Sequence, residues 1–149
     1  MLPNEQLAFS ALSTRDTFLN PLRSGEKEHL WIIATPPDPD GLVAIVSLTS
    51  LKGAKDQTVV LLKGSHEFVK WDTVVFFAQA DIVPTSKIQQ WLEVGDARPY
   101  PKISEQICDE IVDGFVASDF TRNRVREYVK VYREQSRKLS RSSKVADGA

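Results

Sequence analysis

From His29 to Pro84 the chain is a succession of short, apolar, β-branched runs whose connections are too short to hold a helix. HLWIIAT at 29–35 is stopped by PPDPDG, where three prolines and a glycine allow neither a helix nor a central strand. LVAIVSLTS at 42–50 follows, then the polar turn LKGAKD, the run QTVVLLK at 57–63 and the loop GSHEFVKWD. TVVFFAQADIVP at 73–84 reads as one long strand or as two short ones bending near Ala78. Parallel neighbours need crossovers of roughly a dozen residues or more. These spacings therefore predict a mainly β fold with α, a small antiparallel barrel of four or five strands followed by C-terminal helices.

Helical signals come only after residue 85. Ser86 stands three residues before Gln89 in the pattern of a capping box, and Ile88, Trp91 and Leu92 form an apolar stripe that ends near Gly95. After the linker DARPYPK, the residues Ile103, Ile107, Cys108, Ile111, Val112, Phe115 and Val116 share one wide helical face. Val125, Tyr128, Val129 and Tyr132 repeat the pattern in a last helix, with SRSSKVADGA expected as a flexible end. At the other end, Leu7, Phe9 and Leu12 suggest a short helix, and Phe18, Leu19 and Leu22 a packed arm. The expected organisation is one globular domain over 1–120, with an arm at 1–28, a barrel core at 29–84 and helices at 86–118. A basic helix and flexible end at 121–149 complete it.

The chain has 149 residues, 42% of them hydrophobic, enough for one domain with a real core. No apolar run approaches the length of a membrane span, and the N-terminus lacks the pattern of a secretory signal, so a soluble cytoplasmic protein without a membrane partner is expected. A single cysteine, Cys108, leaves no intramolecular disulfide and no cysteine-pair zinc site. The formal net charge is −1, but its distribution is uneven. Residues 121–145 hold nine Lys and Arg against two Glu, whereas residues 1–120 hold ten against 17 Asp and Glu. The result is an acidic body with a basic tail.

Read in order, GEKEHLWIIAT, LVAIVSLTS and KWDTVVFFAQADIVPTSKI resemble successive blocks of the MazF/PemK family of toxin ribonucleases. Gly25 and Glu26 match that family's turn, Leu30 to Ile33 its buried strand, and Thr49 and Ser50 its Thr-Ser strand end. Thr73, Val74, Val75, Gln79, Val83, Ser86 and Ile88 match a later block, so the resemblance spans about residues 25–90. It implies an SH3-like barrel that forms a homodimer, cleaves single-stranded RNA and pairs with an antitoxin protein. The family's arginine-proline pair is absent: Glu28 and His29 stand in its place, and Lys27 and Arg23 are the nearest cations.

Cleaving a phosphodiester requires a base, an acid, and donors or cations for the charge developing on phosphate. Histidine can fill either proton-transfer role. The expected catalytic set is His29 and His66 for the proton transfers, Thr49 or Ser50 as a donor, and Asp56 to orient a histidine, with no cofactor and no metal. Arg23 or Lys27 would neutralise the phosphate. Trp71, in a polar loop, is the tryptophan suited to stack on a base, and Arg122, Arg124, Arg126, Lys130 and Arg133 could bind phosphates along the last helix.

Blander roles stand beside these. His29 can cap a strand or pack beside Trp31, His66 can hold its loop, Thr49 and Ser50 can be ordinary strand-end residues, and Cys108 fits core packing. The basic helix can fold back on the acidic body or dock on a partner instead of binding RNA. Two functions remain open at this point: a toxin-like endoribonuclease, or a non-catalytic barrel that binds nucleic acid or a protein. A metal-dependent enzyme would need Asp56 or Glu67 beside both histidines.

Overall fold

A computed structural model describes residues 12–20 and 28–147, with side chains to residue 140. The proposed N-terminal helix at Leu7 and Phe9, and the cations Arg23 and Lys27, lie outside the described residues. Six antiparallel strands form one curled half-barrel sheet: β1 (Thr17–Asn20), β2 (His29–Ile33), β3 (Leu42–Ser50), β4 (Val60–Leu61), β5 (Thr73–Pro84) and β6 (Arg98–Tyr100). Their order across the sheet is β4-β5-β3-β2-β1-β6. Three helices follow or interrupt them, α1 (Thr85–Glu93), α2 (Glu105–Ala117) and α3 (Asn123–Asp147). The fold is thus mainly β with largely C-terminal helices.

The central strands are buried on both faces, which is why their sequences read as continuous apolar runs. On β2 and β3, Leu30, Ile32, Ala44, Val46 and Leu48 face the main core with α2 and α3, while Trp31, Ile33, Val43 and Ile45 face a second core under α1. β5 is a single strand. Its pairing with β3 shifts between Ile45 and Ser47, leaving an irregularity on either side of Ala78 where a bend was expected.

Two strands escape the sequence pattern. Within the arm, TFLN forms β1 and pairs with both β2 and β6. In the linker, RPY forms β6, and its proline is tolerated because β6 is an edge strand needing hydrogen bonds on one side only. The run QTVVLLK yields only the two residues of β4.

Helix α1 begins one residue before Ser86. Pro84 is its N-cap without a side-chain hydrogen bond, and Thr85 N–H donates to Gly41 O at 2.9 Å, so no capping box forms. The N-cap of α2 is Ser104, whose hydroxyl accepts from Ile107 N at 3.1 Å. Along α2, Gly114 lies so close to the sheet that a Cβ there would stand 2.5 Å from Phe77 Cζ and 2.6 Å from Val59 Cγ2. Helix α3 buries Val125 and Val129 in the main core and runs on to Asp147, through the segment expected as a flexible end.

The curl brings the two edges of the sheet together. His66 Nε2 lies 2.8 Å from Pro101 O just beyond β6, and Phe68 meets Tyr100 edge-on with ring centroids 6.1 Å apart. The loop between β4 and β5 therefore ties one edge of the half-barrel to the other.

Candidate functional site

Thr49 and Ser50 end β3 on the rim of an open groove of about 370 Å³. Lys52 and Lys55 from the β3–β4 loop, Phe76 and Ala78 from β5, and Phe120 from the turn before α3 line it with them. Asp56 lines the same groove. Its Oδ1 accepts from Thr58 N–H and Oγ1, and its Oδ2 accepts from Ser118 Oγ at 2.7 Å. Ser118 Oγ in turn accepts from Phe120 N at 3.1 Å. Asp56 thus holds the β3–β4 loop against the turn that carries Phe120, and no histidine shares its carboxylate.

The two histidines stand apart from this groove and from one another. His29 Nδ1 lies 3.3 Å from Leu48 O on the neighbouring strand. His66 accepts from Phe68 N–H at Nδ1, which fixes the tautomer in which Nε2–H donates to Pro101 O. Both ring nitrogens of His66 therefore serve the loop that closes the half-barrel. The five residues expected as one catalytic set divide into Thr49, Ser50 and Asp56 on the groove, His29 against β3, and His66 beside β6.

Four arginines at the start and in the first half of α3 contact the body. Arg122 donates to Ala80 O at 2.6 Å, and Arg124 pairs with Asp81 at 2.8 Å. Arg126 bridges Ser118 O and Thr121 O at 2.8 and 2.9 Å, and Arg133 pairs with Asp113 at 3.4 Å. Lys130 is exposed. These contacts, with Val125 and Val129 in the core, dock the basic helix on its own acidic body. Tyr128 reinforces the seat by donating to Asp38 Oδ2 at 2.9 Å. Burial first, and then the Asp38 carboxylate, raise the Tyr128 phenol above its ordinary range, while the Leu42 N–H holds the Asp38 carboxyl below its own. Burial likewise raises the Cys108 thiol, an inert core group.

A different set of cations remains unpaired. Among the described residues, Lys52, Lys55, Lys63 and Lys70 make no ion pair. They sit on the β3–β4 and β4–β5 loops, which are joined where Leu51 N donates to Asp72 O, while Lys63 N donates to Asp72 Oδ1 within the second loop. Beside them Trp71 is 62% exposed, and on the groove's rim Phe120 is 46% exposed. The sequence reading picked out Trp71 but not these lysines. Their signal was present, four lysines between 52 and 70 flanking an aromatic, but it was masked by the acidic total of the body.

Among the described residues, no three His, Cys, Asp or Glu side chains gather to hold a metal ion, and no helix is long and apolar enough to cross a membrane. No protein-family model, curated protein or solved structure matches this chain. The likeness to toxin ribonucleases therefore rests on its short motifs alone.

Proposed function

We propose that this protein is a binding module for single-stranded RNA, and that it engages the strand with the loop end of the sheet rather than with the basic helix. The observation that carries the reading is Trp71, largely exposed among four lysines without ion pairs. Exposed aromatics stack on bases irrespective of sequence, and lysines beside them neutralise phosphates. Arg122, Arg124, Arg126 and Arg133, at and along α3, are poorer candidates because releasing each one breaks contacts to Asp81, Asp113 or backbone carbonyls. The bonds of His66 favour binding over acid–base cleavage by a histidine pair, since both its ring nitrogens are engaged within the fold.

A second reading, the endoribonuclease suggested by the toxin resemblance, draws support from Thr49, Ser50 and Asp56 sharing one groove with Lys52 and Lys55. One experiment separates the two. Fluorescence anisotropy of a labelled single-stranded 12-mer RNA should show saturable binding, weakened at least fivefold by Trp71→Ala, the equivalent of about 1 kcal/mol of lost stacking. The RNA should stay intact on a denaturing gel at enzyme excess. Binding that ignores Trp71→Ala, or no binding at low salt, sinks the proposal; cleavage lost in Thr49→Ala or Ser50→Ala selects the nuclease.

A further inference from the structure

The groove beneath Phe120 has a composition that the loop surface lacks. Phe76, Ala78 and the partly exposed Phe120 line it together with two lysines, Lys52 and Lys55, and two hydroxyls, Thr49 and Ser50. The Thr49 hydroxyl has no hydrogen-bond partner among the described residues. Ser50 Oγ accepts from Lys52 N at 3.3 Å, so its proton remains available to donate. Asp56 is the carboxylate on the lining, and both its oxygens are taken up by Thr58 and Ser118. The lining suits an occupant that combines a flat apolar part with an anionic group and fits a volume of about 370 Å³, within the usual range of small-ligand sites.

We infer that this groove is a mononucleotide subsite, taking one base of the bound strand against Phe120 and its phosphate between Lys52 and Lys55. The inference rests on the RNA-binding reading and extends it from the Trp71 surface to a defined pocket. The two are contiguous: Thr73 Oγ1 donates to Trp71 O, and Thr73 pairs with Ser50 on the groove's rim. A strand stacked on Trp71 can thus continue along Ser50 into the groove. Asp56 acts as a positioning residue, because its bond to Ser118 sets the turn from which Phe120 projects.

The test is an amide-shift titration of the full chain with uridine monophosphate, with uridine and with inorganic phosphate, beside oligonucleotide anisotropy. The monophosphate should shift amides of residues 50–56 and 120 saturably, and more tightly than either fragment alone. Phe120→Ala, and Lys52→Gln with Lys55→Gln, should each weaken the monophosphate at least fivefold, whereas Trp71→Ala should leave its affinity unchanged and weaken only the oligonucleotide. If the oligonucleotide binds through Trp71 but the monophosphate shifts nothing at the groove, the subsite is wrong and the binding reading stands. If neither ligand binds, both fall. Saturable shifts at these amides from an extended acidic peptide, without any from the monophosphate, would reassign the groove to a protein partner.

Discussion

Gly114→Ala adds one methyl group where α2 lies closest to the sheet, and its effect can be worked from the contacts. The new Cβ would stand 2.5 Å from Phe77 Cζ and 2.6 Å from Val59 Cγ2, well inside ordinary carbon contact. Neither neighbour can yield easily. Phe77 is fully buried, with its ring packed edge-on against Phe115 at 5.3 Å, and Val59 is buried beside β4. Overpacking of this kind costs about 1–3 kcal/mol. Alanine in a helix interior recovers about 0.5–1 kcal/mol relative to glycine. Two simultaneous short contacts place the strain in the upper part of its range, so the net loss should be about 2 kcal/mol. Urea unfolding followed by tryptophan fluorescence should show a midpoint lowered by roughly 1 M with an unchanged slope. The same shift in α2 would move Ser118 and Phe120, so the monophosphate should weaken with it. A variant as stable as the parent would mean that α2 does not rest on β5 at this distance, and the seating of the groove would be wrong.

Other perturbations probe separate parts of the structure. His66→Ala removes the bond that ties the β4–β5 loop to Pro101 beside β6 and the one that holds Phe68 N–H within the loop, and amide exchange at Phe68 and its neighbours should quicken; protection equal to that of the parent would refute the latch. Because the Asp38 carboxyl is held below its ordinary value, it stabilises the fold above the unfolded carboxylate pKa, and that contribution is lost as pH falls through the lower folded value. Tyr128→Phe removes one of the bonds responsible, so the melting temperature should fall less between pH 6 and pH 2 in the variant than in the parent; an identical or steeper decline would contradict the assignment. Asp81→Asn removes the carboxylate that holds Arg124 and lies 3.5 Å from Arg122. RNA affinity should then rise at low salt and its salt dependence steepen by about 0.7 in log–log slope for each arginine released; an unchanged slope would show that these arginines cannot reach the strand.

The strands at 29–33, 42–50 and 73–84 were legible because burial along most of their length leaves dense apolar, β-branched runs. Helix α2 was legible because its core face repeats with helical spacing. β1 and β6 were not: one is four residues long inside a mixed segment, and the other carries a proline that only an edge position accommodates. The capping box at Ser86 failed because Gly41 O already accepts from Thr85 N–H one residue earlier. The site was legible in part. Thr49, Ser50 and Asp56 share a groove because β3 runs directly into the loop that holds Asp56. The histidines could not be placed, since the partner of His66 is 35 residues away and reaches it only through the curl of the sheet. The charge of α3 was visible, but its neutralisation depends on Asp81 and Asp113, which lie outside the helix and meet it only on folding.

The central claim is that the loop lysines, not the helix arginines, meet RNA. Its most direct test is the salt dependence of RNA affinity in two variants, one with Lys52, Lys55, Lys63 and Lys70 changed to Gln, the other with Arg122 and Arg124 changed to Gln. The lysine variant should flatten the log–log slope by up to about 2.8, and the arginine variant should leave it unchanged. A flattened slope in the arginine variant with none in the lysine variant would contradict the account and return RNA binding to the helix.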